Sequence, residues 1–316
     1  MKEIVDLLDS KLLYLDPKRL IESAWVEHIP FGMLLVELQR PKEIVELGTS
    51  SGVSYCAMCQ AVAELGYAAR CYAVDTWAGD AHAGFYGEYI YNDLKAHHQQ
   101  YASFSQLLRM PFDDALKIIP DRSIDLLHID GFHTYDAVKA DYMNWLPKMS
   151  DRGVILFHDT AVRDRDFGVH KLWAELSDQF PNFAFEHSYG LGVLAVGRNQ
   201  SPGVTGFLEV ATRFPSGIRN LFSSLGARVS LRREVEELRS ELRAVRSSRD
   251  YRWGGRLIWP LRMIKSALRG TNSATPNPEQ GPNGASSSAP LYISQGPQNN
   301  GRKSGARTSA RGTKAP

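Results

Sequence analysis

Residues 43–52 read EIVELGTSSG, a short apolar run that ends in two glycines separated by three residues. An apolar run followed by a glycine turn predicts a buried strand that leads into a helix. Gly48 can adopt a backbone conformation that a Cβ would forbid, so a ligand can approach this turn closely. Open α/β sheets bind cofactors at this place, beyond the carboxyl ends of their strands. A plain strand–helix turn without a ligand is the alternative.

Strands and helices alternate from residue 42 to residue 197. Further strands are predicted at residues 69–75, 103–110, 123–130 and 153–159, and residues 183–197 suggest a closing hairpin. Strands separated by helices of ten or more residues form a parallel sheet covered on both faces. The predicted fold class is α/β: a Rossmann-like, doubly wound, mostly parallel seven-stranded sheet with an antiparallel hairpin edge, a C-terminal helical extension and a disordered tail.

Composition divides the 316-residue chain into four segments. Residues 1–40 are predicted as N-terminal helices, 41–200 as the Rossmann-like domain, 201–270 as a basic helical or short coiled-coil extension, and 271–316 as a disordered tail. Residues 1–200 carry 18 Lys and Arg against 28 Asp and Glu, whereas the rest carry 19 against 7. A basic segment attracts anionic lipid or an acidic partner. Nucleic acid is not expected as the main partner, because the acidic body would repel phosphates.

Heptad spacing marks residues 229–246, VSLRREVEELRSELRAVR. Apolar residues recur there at alternating steps of four and three: Leu231, Val235, Leu238, Leu242 and Val245. The pattern spans about two and a half heptads, so a short coiled coil and a single amphipathic helix are both open. Residues 251–269 mix Trp, Leu and Ile with five Lys or Arg, which fits either a membrane-interface segment or a docking helix for a partner enzyme.

Cys56 and Cys59 form a C-x-x-C inside an apolar helical run, and no second Cys pair follows. We interpret both as core thiols rather than a redox pair or half of a zinc site. The N-terminus shows no apolar stretch typical of a signal peptide, and no segment approaches the ~18 apolar residues of a membrane span. We expect a cytoplasmic protein, or one held peripherally at the inner face of the membrane by its basic segment.

Asp75 ends the second predicted strand, 27 residues after Gly48. A carboxylate there can accept two hydrogen bonds from the ribose hydroxyls of an adenosine cofactor. Nicotinamide enzymes use the same device, but their G-x-G-x-x-G has a second glycine where a pyrophosphate sits. Ser50 stands at that place, so an adenosyl cofactor without phosphates fits better. This favours S-adenosylmethionine over NAD.

Acidic and imidazole side chains follow the fourth and fifth strands. Asp130 and His133 lie at the first of these ends, and His158 and Asp159 at the second. Carboxylates suit Mg²⁺, whereas imidazole favours a transition metal. We predict a divalent cation on Asp130, His158 and Asp159, with Asp130 and His133 as catalytic residues and His133 as the general base toward an acceptor hydroxyl. His158 can equally cap its strand, and His128, inside the fourth strand, is interpreted as a packed, hydrogen-bonded histidine.

An insertion follows the second strand at residues 76–87, TWAGDAHAGFYG. Its aromatic, small and polar residues are suited to a lid or to the wall of an acceptor site. A plain surface loop is equally consistent with this composition.

Four segments, residues 28–62, 74–88, 123–160 and 165–176, together resemble the class I methyltransferases of bacterial glycan biosynthesis, a branch of the catechol-type O-methyltransferase superfamily. The resemblance covers roughly residues 25–197. It implies S-adenosylmethionine as the methyl donor, with Glu46, Gly48, Gly52 and Asp75 at its binding site. We add Thr49 and Asp130 to the predicted cofactor-binding residues. The superfamily commonly places a divalent ion on an Asp after the fourth strand and on an Asp-Asn or Asp-Asp pair after the fifth. This chain has His158-Asp159 at the second place, which leaves metal dependence open.

These features predict an S-adenosylmethionine-dependent methyltransferase that O-methylates a sugar or glycan intermediate of cell-surface polysaccharide biosynthesis. The expected partners are a glycan or small-molecule acceptor, glycan-assembly enzymes and a second copy of the chain. The sugar follows from the resemblance and not from any single residue. Two alternatives are a non-catalytic methyltransferase-like scaffold for assembly partners and a nicotinamide-dependent oxidoreductase on the same sheet.

Overall fold

A computed structural model describes residues 7–82, 84–164 and 166–247. Within these residues one sheet contains β1 (Glu43–Leu47), β2 (Arg70–Asp75), β5 (Ser105–Arg109), β6 (Ile124–Ile129), β7 (Met149–His158), β8 (Asn182–Phe185) and β9 (Leu191–Ala195). Two short strands, β3 (Gly79–Asp80) and β4 (Gly84–Phe85), pair with each other outside that sheet.

The strand order in the large sheet is β5-β2-β1-β6-β7-β9-β8. The pairs β5–β2, β2–β1, β1–β6 and β6–β7 are parallel, whereas β7–β9 and β9–β8 are antiparallel. This confirms the predicted Rossmann-like, mostly parallel sheet with an antiparallel hairpin edge. The strand order reverses between β1 and β6, so their carboxyl ends open onto the crevice in which such sheets bind ligands.

Helices cover both faces of this sheet. They are α1 (Ile29–Gln39), α2 (Val53–Leu65), α3 (Glu88–His98), α4 (Phe112–Ala115), α5 (Tyr135–Trp145), α6 (Val169–Ser177), α7 (Pro202–Arg213) and α8 (Pro215–Ser247). One apolar core lies under α1, α2, α3, α7 and the first half of α8, and a second lies under α4, α5 and α6. All five residues of β1 are buried, and Ile44 and Val45 point into different cores. Burial on both faces explains why these strands are continuous apolar runs.

The helix between β5 and β6 is shorter than the sequence predicts. Residues 112–119 have helical spacing, but the helix ends at Ala115 and turns follow. Pro120 comes next, and a proline disfavours helical geometry in the residue before it. Ile119 is nevertheless buried, so its side chain joins the core without a second helical turn.

The three cysteines are free and buried. Cys56 and Cys59 belong to α2, and burial raises the pKa of the Cys56 thiol well above its ordinary value. A thiol that resists ionisation is a poor nucleophile and a poor metal ligand. The C-x-x-C is therefore part of the core, as predicted.

Packing continues beyond residue 200. Phe207 in α7 and Phe222 in α8 are each about 1 % exposed and contact the ring of Phe31 in α1. The last buried residue of α8 is Val229, and the helix continues to Ser247. The predicted basic aromatic segment and tail lie outside the described residues. No helix in the described ranges combines the length and the apolar character that crossing a bilayer requires.

Candidate active site

The glycine turn after β1 lies directly against the end of β6. Gly48 has φ +84°, and a Cβ at this position would lie 2.1 Å from the carbonyl oxygen of Asp130. Its own N–H donates to the carbonyl of Val74 at 3.0 Å, which ties the turn to β2. Gly52, with φ +79°, precedes the first residue of α2. Both glycines therefore hold backbone conformations that favour glycine, and at Gly48 a side chain is also excluded by contact.

Asp75 connects this turn to the insertion after β2. Its carboxylate accepts the backbone N–H of Ser50 at 2.7 Å and that of Trp77 at 2.6 Å. The indole N–H of Trp77 in turn donates to the carbonyl of Ser50 at 2.8 Å. Burial raises the pKa of Asp75 above its ordinary value, and the two backbone hydrogen bonds offset only part of this rise. Each carboxylate oxygen accepts one of these bonds and keeps a further lone pair, so the side chain can also accept ribose hydroxyls.

Three residues at the cavity or beside it have strained backbone conformations. Ser50, Trp77 and Asp159 have positive φ values of 47°, 53° and 62° without being glycine. Such conformations persist only where the surrounding structure imposes them, and they cluster at ligand sites. Here the hydrogen bonds of Asp75 impose two of the three.

Two carboxylates and two imidazoles meet where β6 and β7 end. His133 Nε2 lies 2.9 Å from Asp159 Oδ2 and 3.6 Å from Asp130 Oδ1. His158 Nδ1 lies 3.4 Å from each of the same carboxylates. We call these four residues the acid–histidine cluster. It brings together residues from two neighbouring strand ends, as the parallel sheet requires.

Charge pairing determines how the cluster titrates. Burial alone would lower the pKa of His133, but its hydrogen bonds to Asp130 and Asp159 raise it to about 9. Burial would likewise lower the pKa of His158, which the same two carboxylates raise to about 10. Burial would raise the pKa of Asp130, which the charge of His158 and the hydrogen bonds of both histidines hold well below its usual value. At neutral pH the cluster thus contains two imidazolium–carboxylate pairs, and His133 must lose a proton before it can accept one.

The cluster also offers ligands for a cation. One donor atom each from Asp130, His133 and Asp159 lie within 4.8 Å of one another. The set differs from the predicted one, since His133 and not His158 completes it. A cation among these atoms would offset the negative charge that holds the proton on His133, so cation and proton compete for the same place. Two carboxylates and one imidazole fit Mg²⁺ or a first-row transition metal.

Residues of the insertion and of the loop before α6 fix the ring of His133. It stacks on Phe167 at 4.7 Å between ring centroids, and its Nδ1 lies 3.4 Å from Nδ1 of His82. His82 Nε2 lies 2.7 Å from Asp166 Oδ1 at the surface. Nothing in the sequence pattern indicates that residues 51 positions apart meet in this way.

Glu46 and His128 form a separate, fully buried pair. His128 Nδ1 lies 2.8 Å from Glu46 Oε2, and the indole N–H of Trp25 donates to His128 Nε2 at 3.2 Å. Because the indole can only donate, Nε2 is the acceptor and Nδ1 carries the proton. This confirms His128 as a packed, hydrogen-bonded histidine. Glu46 is 0 % exposed and serves this pair.

A cavity of about 480 Å³ connects the turn to the acid–histidine cluster. Its lining contains Gly48, Ser50, Asp75, Asp130, His133, His158 and Asp159. Of the other predicted residues, Glu46, Thr49 and Gly52 do not line it. Thr49 is 3 % exposed, and its hydroxyl finds no hydrogen-bond partner within the described residues.

Three parts of the cavity wall were predicted only in outline or not at all. Gly79, Asp80 and Tyr86 come from the insertion, which favours the acceptor-wall interpretation over a plain loop. Pro111 and Phe112 follow β5, and the rule that strand ends meet at one edge would have found them. Residues 23–25 precede α1 and reach the cavity from the N-terminal segment, which no local pattern indicates.

Comparisons with known proteins agree with the predicted class of protein. Residues 45–160 match the family model described as a methyltransferase domain. The chain is 54% identical over 190 residues to an uncharacterized protein of Sinorhizobium fredii; this alignment covers 60% of the chain and 21% of that protein. The chain therefore spans about a fifth of the length of this relative.

Solved structures resemble the chain more distantly. A putative caffeoyl-CoA O-methyltransferase from Staphylococcus aureus has a TM-score of 0.43 at 14% identity, covering 62% of this chain and 98% of its own. The O-methyltransferase TomG from Streptomyces achromogenes, solved with SAM, has a TM-score of 0.42 at 14% identity, covering 62% and 90%. Likeness at this level carries no weight for function. The stretch that matches the methyltransferase-domain model, residues 45–160, includes Gly48, Asp75 and the whole acid–histidine cluster.

Proposed function

We propose that the protein is an S-adenosylmethionine-dependent O-methyltransferase that acts on a hydroxyl of a sugar or glycan intermediate in cell-surface polysaccharide biosynthesis. One observation carries the proposal: Asp75 and the acid–histidine cluster face the same cavity of about 480 Å³. An adenosyl group at one end and a hydroxyl at the other would share that space. The volume lies within the usual range for small-molecule sites.

The hydrogen bonds of the glycine turn favour a cofactor without phosphates. A dinucleotide places its pyrophosphate on free backbone N–H groups of such a turn. Here the N–H of Ser50 is bound to Asp75, and that of Gly52 donates to the carbonyl of Thr49 at 2.8 Å. These donors are already used within the protein, which disfavours NAD and supports S-adenosylmethionine.

Methyl transfer requires alignment and the loss of one proton. The acceptor oxygen forms a bond to the methyl carbon as the carbon–sulfur bond breaks, and the hydroxyl proton leaves to a base. Holding the two reacting atoms about 3 Å apart supplies much of the acceleration in such displacements. His133, held by Phe167 and Asp159, is our candidate for that base once its own proton has left. A divalent cation held by Asp130 and Asp159 would polarise the hydroxyl when bound. A cation that also took Nε2 of His133 would occupy the lone pair that the base uses, so the two roles of His133 are alternatives.

The sugar acceptor is the least direct part of the proposal. It is supported by the resemblance to glycan-biosynthesis methyltransferases and by the cavity wall beside the cluster, where Tyr86 and Phe132 offer aromatic rings. Such rings can pack against the apolar face of a sugar while the carboxylates accept its hydroxyls. The proposed membrane-side location depends on residues 251–269, and liposome flotation with and without anionic lipid tests it.

Two measurements test the proposal. Calorimetric titration should detect S-adenosylmethionine binding and no NAD binding. Mass spectrometry of cell glycans, with and without the protein, should show one methylene-sized mass difference. Tight NAD binding would support the oxidoreductase alternative, whereas donor binding without turnover on any glycan would support the non-catalytic scaffold.

A further inference from the structure

The second half of α8 presents an apolar stripe to solvent. Up to Val229 the helix packs on the body, and its apolar residues are buried. Beyond that point Leu231, Val235, Leu238, Leu242 and Val245 are 60%, 43%, 63%, 49% and 56% exposed. These are the same residues that the heptad pattern selects, so one continuous face of the helix is apolar and uncovered within the described residues. A regular exposed stripe of this kind marks an interaction surface.

Heptad positions follow directly from this stripe. Val235 and Leu242 occupy position a, and Leu231, Leu238 and Val245 occupy position d. Val235 at a with Leu238 at d favours two strands, whereas Leu242 at a with Val245 at d favours more, so the seam residues do not by themselves set the number of strands. The charges beside the stripe are segregated: both g positions are acidic, Glu234 and Glu241, and the three e positions are Arg232, Arg239 and Arg246.

We infer that residues 231–245 of α8 form a parallel two-stranded coiled coil with the same residues of a second copy of this chain. In a parallel pair each g residue faces the e residue of the following heptad in its partner. Glu234 then faces Arg239, and Glu241 faces Arg246, twice each by symmetry. In an antiparallel pair g faces g and e faces e, so Glu would meet Glu and Arg would meet Arg. The charge pattern is complementary only in the parallel arrangement.

Ion pairs within the helix single out the same charges. Arg232, at the first e position, binds Glu236, and Arg233 on the outer face binds Glu237, both at 3.0 Å. Glu234 and Glu241 have no basic residue three or four positions away in the sequence. Arg239 has only Glu236 at that spacing, and Glu236 is already bound to Arg232. Within the described residues Glu234, Arg239 and Glu241 form no ion pair, which leaves them for a partner helix.

Packing of the first half of α8 against the sheet domain compensates for the short length of the stripe. An isolated helix of this size is marginal because its first turn is costly to form. Here the first half of α8 is already ordered on the body, and Arg228 and Arg232 contact Asp16 beside the point where packing ends. Two such helices would meet preformed, so less conformational entropy opposes their association.

Sedimentation velocity on the full chain over a micromolar series tests the proposal. We expect a monomer–dimer equilibrium, and Leu238→Glu should weaken it about a hundredfold or more because it buries charge in the seam. The control Arg243→Gln changes a side chain on the outer face without placing a new acid beside Arg239 or Arg246, and it should leave the equilibrium unchanged. Circular dichroism should show that each variant keeps its helix content. A chain that is monomeric throughout, or a dimer that Leu238→Glu leaves intact, would overturn the proposal.

Charge reversal tests whether the e and g charges direct the pairing, and an introduced cysteine tests the parallel orientation. The double variants Glu234→Arg/Glu241→Arg and Arg239→Glu/Arg246→Glu should each stay monomeric and should form a heterodimer when mixed. Leu242→Cys should oxidise to a symmetric disulfide dimer, since the three native cysteines are buried. Failure of the mixed variants to associate, or protection of that cysteine from alkylation in a monomer, would show that something other than a parallel second copy covers the seam.

Discussion

The two ends of the cavity are built in different ways. At the glycine end, Gly48, Ser50 and Asp75 lie within 28 residues of sequence and are joined by backbone hydrogen bonds. At the other end, the acid–histidine cluster is assembled from two strands and is held by charge pairs. The first is a backbone shape held by one ionisable side chain, Asp75. The second is a set of four coupled protonation states.

The difference teaches which functions each end can perform. A preformed backbone turn excludes side chains and selects a ligand by shape. Four ionisable groups within hydrogen-bond distance can move a proton or bind a cation, and their state depends on what else is bound. Donor binding should therefore depend on the glycine end and turnover on the cluster.

Gly48→Ala should have the largest effect, because it damages both ends at once. The added Cβ would lie 2.1 Å from the carbonyl of Asp130, at a φ of +84°. We expect a loss of about 4 kcal/mol in the free energy of unfolding and no measurable donor binding. Gly66→Ala is the control: it has φ +62° and nothing within 4 Å of the added atom, so only about 1 kcal/mol should be lost. Equal losses in denaturant melts would show that contact with Asp130 is unimportant.

Asp159→Asn should reduce turnover while sparing the donor. The substitution removes the carboxylate that lies closest to His133. We expect kcat to fall about a thousandfold, as for loss of an acid–base group, with donor affinity changed by less than about threefold. Single-turnover assays and calorimetric titration measure the two quantities separately. A parallel loss of donor affinity would mean that the two ends do not act separately.

Asp75→Ala should show the opposite pattern. It removes the acceptor for two backbone N–H groups as well as for the ribose hydroxyls. Donor affinity should fall about a hundredfold, which corresponds to the loss of one or two hydrogen bonds to a charged group. Asp75→Asn keeps one acceptor oxygen and should lose less. Unchanged affinity in calorimetric titration of Asp75→Ala would contradict the ribose role.

The smallest expected effect is the pH dependence of stability. The pKa of His133 is raised to about 9 in the folded protein, so its pairing stabilises the fold fully below about pH 6.5 and this contribution is lost as the pH rises through 9. We expect the free energy of unfolding to fall by roughly 2 kcal/mol over that range from this group. His133→Gln should reduce the fall without removing it, since His158 remains with a pKa of about 10.

His97→Gln is the matched control for this measurement. His97 lies on α3, and burial lowers its pKa instead of raising it. Thermal melts of this variant should keep the wild-type decline between neutral and alkaline pH. A decline that His133→Gln does not alter would show that the acid–histidine cluster is not its source.

Much of this cavity could be predicted because strand ends share one edge of a parallel sheet. Apolar runs identified β1, β2, β6 and β7. The residues at or just after the ends of these strands, Gly48, Asp75, Asp130 and Asp159, lie together as expected. Glu46 shows the limit of this reasoning. Its place in the glycine segment was assigned to the cofactor by resemblance, yet its side chain points away from the cavity to His128.

The sequence by itself determined the sheet, the glycine turn and the heptad stripe, because period, glycine spacing and proline positions act over a few residues at a time. Only the tertiary structure decided which polar groups touch. His82 lies beside His133, 51 positions away in the sequence, and Trp25 donates to His128, 103 positions away. Such contacts depend on how whole elements pack, which no pattern spanning a few residues records.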